Sequence, residues 1–226
     1  MNFVEGEVLL VDKPIGWTSF DVVNKIRYAI QKKHKLKVKV GHAGTLDPLA
    51  TGLLIICTGK FTKKAEEYQG FDKTYTGSFL LGKTTPSYDL ETAFDSDTAL
   101  DNVSNEAIHH TAQKFIGQQA QMPPVFSAIK VGGKVAHQEA RLGNTIELRP
   151  RTVTLHNFSI TNIHLPEIDF EVSCSKGTYI RSLAHDFGKA LGCGACLSSL
   201  RRTEVGEWKV ADALSVEKII EIIHAF

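Results

Sequence analysis

An aspartate followed directly by proline, inside a stretch with glycines at positions 41, 44 and 52, is where this chain could do chemistry: GHAGTLDPLATG, from Gly41 to Gly52. The acid of that stretch is Asp47. A carboxylate can attack an electrophilic carbon as a nucleophile or remove a proton as a base, and neither role needs a metal or a redox group. The neighbours constrain the backbone. Gly41 and Gly44 flank His42 and permit positive φ or close approach of a ligand. Pro48 biases the residue before it toward extended φ/ψ, so Asp47 is held out of the helical well. Leu46 and Leu49 add apolar surface on either side. A lone Asp-Pro reads as a turn between strands, but twelve residues of this kind make the loop a candidate site.

Cys193 and Cys196 form a CxxC and carry the rival chemistry, a redox pair or a structural zinc site. A thioredoxin-like pair heads a helix, where the dipole lowers the first thiol's pKa; here the pair follows a predicted helix, after Gly192. Zinc would need two further ligands. Cys57 and Cys174 are distant in sequence, and His185 has no motif spacing. The pair reads as packing, and no metal and no cofactor is expected.

The elements that must position Asp47 come from a chain of 226 residues, 42% hydrophobic, which suffices for one large or two small cores. No apolar run approaches the roughly 18 residues a bilayer span needs; the longest obvious one is Leu53 to Cys57. The amino terminus, MNFVEGEVLLVDK, carries acids where a signal peptide has a basic region. Together with four cysteines and no secretion signal, this points to reduced thiols in a cytoplasm.

The net charge of +1 conceals a segregated distribution. Lys32, Lys33, Lys35, Lys37 and Lys39 crowd together, with Lys60, Lys63, Lys64, Arg149, Arg151, Arg201 and Arg202 elsewhere. Asp89, Glu91, Asp95, Asp97, Asp101 and Glu106 form an acidic segment without lysine or arginine. A basic face opposed by an acidic one would attract phosphates locally. Leu36, Val38 and Val40 alternate with the lysines as in a half-exposed strand.

Periodicity predicts mixed helix and strand: strands at 7–11, 53–57, 74–81, 152–163 and 168–173, and helices at 19–30, 62–68, 105–116, 179–191 and 215–223. Ser19 is the expected cap of the first helix.

The Asp47 loop closely resembles the catalytic motif of the TruB family of pseudouridine synthases. VDKP at Val11 to Pro14, GWTS at Gly16 to Ser19, KTYTGSFLLGKTT at Lys73 to Thr85, SKGTYIRSLAHDFGKALGCGA at Ser175 to Ala195 and LSSLRRTEVGEW at Leu197 to Trp208 extend the resemblance in order over nearly the whole chain. It implies an α+β pseudouridine synthase fold: a central, largely antiparallel mixed sheet flanked by helices, as a single catalytic domain over 1–226. The segment 121–144 resembles the family's thumb, a mobile RNA-binding insertion with Gly132 and Gly133 at its tip. The chain stops about eighteen residues after Trp208, so no separate carboxy-terminal RNA-binding domain of the PUA type is expected.

The implied activity is isomerisation of uridine 55 in the T loop of tRNA to pseudouridine. Asp47 would act on the sugar or the ring. Arg181 would pair with Asp47 and keep it ionised, and Tyr75 would stack on the target base. Tyr179 and Leu200 would line the pocket, Lys13 and Pro14 would support the loop, and His42 would contact everted nucleotides. The implied partner is the tRNA T-arm, with no membrane and no obligate protein partner. A noncatalytic tRNA chaperone on the same fold is the alternative.

Overall fold

The computed structural model describes every residue except Leu36, Thr145 and Phe226. In chain order the elements are β1 (Val8–Lys13), α1 (Ser19–His34), β2 (Val40–Ala43), β3 (Ala50–Thr58), a 3-10 turn (Gly59–Lys64), α2 (Ala65–Gln69), β4 (Lys73–Leu81), β5 (Lys83–Thr84), β6 (Ser96–Asp97) and α3 (Asn105–Lys114). Then follow β7 (Gly117–Gln121), β8 (Lys130–Val131), β9 (Lys134–Val135), α4 (Ala136–Arg141), β10 (Arg151–His164), β11 (Glu167–Cys174), α5 (Ile180–Leu191), β12 (Ala195–Val205), β13 (Trp208–Lys209), a 3-10 turn (Val210–Asp212), β14 (Leu214–Ser215) and α6 (Val216–Ala225). They fall into two compact units, Met1–Tyr75 with Leu200–Phe226, and Thr76–Ser199.

The first unit is built on strands in the order β14, β1, β3, β12, β4, with β2 on β3 and β13 on β12. The sheet is mixed: β1 with β14 and β3 with β12 run parallel, whereas β1 with β3, β2 with β3 and β12 with β13 are antiparallel. Leu53 to Cys57 are all fully buried. Leu53, Ile55 and Cys57 pack with Ala43, Tyr68 and Val205, where Trp208 meets Tyr68 edge-on at 4.9 Å. Leu54 and Ile56 face the other way. Each such aliphatic contributes about 1.5–3 kcal/mol by leaving water. α1 packs against α6 and β2, with Val22, Val23, Ile26, Ala29 and Ile30 buried.

Two sequence readings in this unit need correction. The cap of α1 is Thr18, one residue before the expected Ser19: its hydroxyl accepts from Asp21 N–H at 3.0 Å while Asp21 accepts from Thr18 N–H at 2.8 Å, a reciprocal capping box. The lysine-alternating strand does not form. α1 runs on through His34 and ends at Lys35 in the left-handed conformation, φ +55, and β2 starts only at Val40. Lysines with straight side chains sustain the helix, and residues 37–39 keep an alternating exposure outside any strand, with the Lys39 carbonyl accepting from Gly59 N–H at 2.8 Å; Leu36 lies outside the described residues.

The second unit carries strands in the order β12, β4, β11, β10, β7. Its core is aromatic. Phe79, Phe158, Phe170 and Phe187 are buried together, with Phe79 and Phe170 centroids 4.3 Å apart and Phe158 meeting Phe187 edge-on at 5.6 Å. This cluster fixes α5 against the sheet, because Phe187 is its inward-facing aromatic. In the thumb-like segment, β8 and β9 form a hairpin closed by Gly132 and Gly133, whose φ values of +59 and +84 suit a two-residue primed turn. α4 follows, and its Arg141 pairs with Glu91.

Candidate active site

In the first unit the loop carrying Asp47 is built from below. Lys13, the last residue of β1, is fully buried. Its ammonium donates to the carbonyls of Pro14 at 2.9 Å, Trp17 at 2.6 Å and Pro48 at 3.5 Å, tying the 14–17 turn to the Asp47 loop. Gly16 N–H donates to the same Pro48 carbonyl at 2.8 Å, and Ser19 Oγ both accepts from Leu46 N–H at 2.8 Å and donates to its carbonyl. Burial pushes the Lys13 ammonium down to about 8; the carboxylate of Asp47 opposes that fall and the guanidinium of Arg202 adds to it. Asp47 itself is half-buried, and its carbonyl accepts from Ala50 N–H at 3.0 Å.

His42 lies in β2, opposite Ile56, with its Nδ1 buried. Burial, and after it Arg202, holds its pKa below the usual value, so the imidazole stays neutral. Tyr75 is buried in β4 beside Thr74, whose carbonyl accepts from Thr203 of β12 at 3.2 Å. Leu200 pairs with Ala50, three residues beyond Asp47. The first unit thus brings together Lys13, His42, Asp47 and Leu200, with Tyr75 on β4, a strand next to β12.

The second unit positions Tyr179 and Arg181 at the head of α5. Gln121 grips the chain there from β7, accepting from Tyr179 N–H at 2.8 Å and donating to its carbonyl at 3.0 Å. Ser182 donates to the Met122 carbonyl at 2.7 Å, and Arg151 lies over the Tyr179 ring at 4.9 Å. Arg181 is buried; its Nη1 donates to the Ser87 carbonyl at 3.3 Å and its Nε lies 3.6 Å from an Asp89 carboxylate oxygen. With only 6% of its side chain exposed, Asp89 does not belong to an acidic surface. Other acids of that segment are committed too, Glu91 to Arg141 and Asp97 to Lys83. Of the six acids expected to form an acidic face, Asp89 is buried, while Glu91, Asp95, Asp97, Asp101 and Glu106 are exposed.

Sequence reasoning missed two groups here. Asp89 was hidden among surface-like acids. Arg202 was counted with the exposed basic residues, yet it is 1% exposed and donates to the carbonyls of Leu53 at 2.7 Å and Gly44 at 3.1 Å. Its signal was the all-buried β3 beside it: a strand of that kind needs covered edges on both sides.

The cysteine pair sits away from any helix start. Cys193 follows α5, Cys196 lies in β12, and both are buried. Burial raises both thiols, Cys196 to about 11. His185 is stacked on Tyr88 at 4.0 Å. Among the described residues no group of three or more His, Cys, Asp or Glu is arranged to hold a metal, and no helix is long and apolar enough to cross a membrane. Native Cys193 and Cys196 are expected to react with an aromatic disulfide at pH 8 at least roughly a hundredfold more slowly than free cysteine. A Cys193→Ser, Cys196→Ser double variant is expected to keep its turnover in excess chelator. Fast labelling, or lost turnover in a folded variant, would restore the redox or metal reading.

Comparison with known proteins agrees along the whole chain. The TruB family pseudouridylate synthase (N terminal domain) matches residues 31–180, and the tRNA pseudouridylate synthase B C-terminal domain matches 181–225. A protein named tRNA pseudouridine synthase B from Flavobacterium johnsoniae is 55% identical over 95% of this chain and 95% of its own length. One of the same name from Phocaeicola vulgatus is 53% identical over 98% of this chain and 94% of its own. Among solved structures, a Cbf5-Nop10-Gar1 complex matches with a TM-score of 0.73 and 28% identity, covering 97% of this chain and 54% of the matched one. An H/ACA RNP bound to a substrate RNA containing 2′-deoxyuridine matches with a TM-score of 0.70 and 26% identity, covering 97% and 53%. The chain spans about half the length of those solved chains.

Proposed function

This chain belongs to the TruB family of pseudouridine synthases, and we propose that it isomerises uridine 55 in the T loop of tRNA, with Asp47 as the catalytic carboxylate. The reaction conserves every atom and is redox-neutral. The bond from ring N1 to ribose C1′ breaks, C5 bonds to C1′, the C5 proton leaves, and N1 gains one. The requirements are therefore a nucleophile or base, control of protons, and retention of the detached base.

The observation that carries this reading is the seating of Asp47, a half-buried carboxylate in a loop held by the buried cations Lys13 and Arg202. Fixed positive charge beneath the loop favours the ionised acid that every route needs. Tyr75 supplies a ring to stack on the base and a hydroxyl to assist proton movement at C5. By the family resemblance, Leu200 and Tyr179 have the role of keeping water from the cleaved intermediate. His42, held neutral, meets everted nucleotides by stacking and hydrogen bonding and not as a cation. By the family resemblance, the orienting role toward the catalytic carboxylate falls to Arg181. Extruding a stacked uridine costs a few kcal/mol, offset by stacking and backbone contacts. Residues 1–226 act as one catalytic domain, with 121–144 closing over the RNA.

Incubating the protein with a tRNA transcript labelled with tritium at C5 of its uridines tests the proposal. Release of about one tritium per tRNA, with the product mapped to position 55, is the expected result. Binding without release would instead describe a chaperone.

The exposed lysines enter a separate prediction. Lys33 is engaged at the end of α6, donating to the His224 carbonyl at 2.6 Å, whereas Lys35, Lys37 and Lys39 are exposed. Neutralising these three is expected to weaken tRNA binding and reduce the log–log salt slope by roughly 0.7–0.9 for each phosphate that a lysine no longer neutralises. The rate at saturating tRNA should hold. A slope identical to that of the unaltered protein would place these lysines outside the RNA footprint.

A further inference from the structure

We propose that Arg202 is a positioning residue for Asp47, a buried clamp that closes the base of the catalytic loop. The proposal rests on Asp47 being the catalytic acid. The strand registers define the need for such a clamp. One edge of β3 is occupied by β1 from Gly52 to Cys57. The other edge is shared: β12 runs parallel to it up to the pair Arg202 and Gly52, and β2 runs antiparallel from the pair Ala43 and Ile55 onward. The two strands part at this point, and the segment carrying Asp47 emerges from the fork between them.

A fork of this kind strands backbone carbonyls in a buried place, where an unsatisfied acceptor is costly. Arg202 fills it. Its Nε donates to Leu53 on the β3 side at 2.7 Å and its Nη2 to Gly44 on the β2 side at 3.1 Å, so one planar guanidinium bridges the two ends of the loop. Gly52 allows the approach. Its φ is +101, and a methyl group there would come within 2.3 Å of the Arg202 carbonyl oxygen. Gly44, at φ +91, takes the left-handed conformation that favours glycine, and a methyl group there would lie 3.4 Å from Arg202 Nη1, an ordinary contact.

The rigid fork of donors is why arginine is needed. A lysine ammonium carries the same charge on a flexible stem and presents its donors from one point. The clamp spans residues 44 to 53, and Asp47 lies inside that span with Pro48 after it, so loss of the clamp frees the direction of the carboxylate before it costs the sheet its core. The clamp is also a permanent positive charge beside two titratable neighbours, Lys13 and His42, and it depresses both. Burial is the larger cause for each. Around Lys13 the opposing charges are Asp47 and Asp21.

Arg202→Lys and Arg202→Gln test the proposal, read by single-turnover rate at saturating tRNA, KM for tRNA, thermal midpoint and the NMR titration of His42. In Arg202→Lys the expected single-turnover rate falls at least tenfold while KM stays within threefold. In Arg202→Gln the rate falls further and the His42 pKa rises, because the charge that depressed it has gone. The lysine variant keeps the charge, so it reads the clamp's geometry even where the glutamine variant does not fold. A full rate in folded Arg202→Lys would overturn the proposal. So would a KM that rises in step with the fall in rate, which would make Arg202 an RNA-binding residue. Failure of the functional reading itself would look different: the unaltered protein would release no tritium.

Discussion

Asp47→Asn is expected to abolish pseudouridine formation, lowering the single-turnover rate by at least about 10⁴-fold, with tRNA affinity changed less than threefold. The amide keeps the shape of the side chain and its place before Pro48, and it loses both the nucleophilic oxygen pair and the negative charge. Every chemical route open to this site begins with an ionised acid, so no slower parallel path through Asp47 remains. The fold should survive. The loop is held by Lys13, Ser19 and Arg202 through main-chain atoms of residues 44 to 53, and asparagine leaves all of those anchors in place. Removing the acid also removes the charge that supports the buried Lys13 ammonium, so the Lys13 pKa should fall below its value of about 8. Tritium release and filter binding on the same preparation check the result. Release near the unaltered rate, from protein free of host enzyme, would remove Asp47 from the mechanism.

What was legible in the sequence follows from how local each signal is. β1, β3, β4, β10 and β11 announced themselves through apolar runs or alternation, and α5 through a strong apolar stripe; their ends move by a few residues at most. β12 was not read as a strand at all. Its sequence, ACLSSLRRTEV, carries polar side chains where a central strand usually shows aliphatics. The reason lies in its neighbours: Arg202 points into the fork beside β3, Arg201 pairs with Asp12 at 2.7 Å and 3.0 Å, and Ser198 donates to Glu167. Those partners are far away in sequence, and no window of a dozen residues contains them. The same non-locality hid Asp89. Its companions in the segment are surface acids, and its burial depends on Arg181, more than ninety positions later. The Asp47 loop stood out as a candidate because its constraint is local, glycine and proline bracketing a single acid.

Arg181→Met is the second large effect: turnover is expected to fall about 10²–10³-fold while tRNA affinity changes little, since a buried guanidinium is no phosphate ligand and the family resemblance implies that this arginine orients the reacting carboxylate. Its burial also predicts a cost in stability. Methionine fills much of the volume but leaves Asp89 buried without the cation 3.6 Å away. Breaking a buried pair from one side typically costs about 3–5 kcal/mol. Asp89 retains one local donor, Glu91 N–H at 3.0 Å, which softens the loss. Adding Asp89→Asn to Arg181→Met removes the orphaned charge, so the double variant should regain part of the thermal midpoint and none of the turnover. That split separates the two roles of Arg181. A double variant that recovered stability and turnover together would make the arginine a scaffold residue, and a loss of tRNA affinity matching the loss of rate would make it part of the RNA-binding surface.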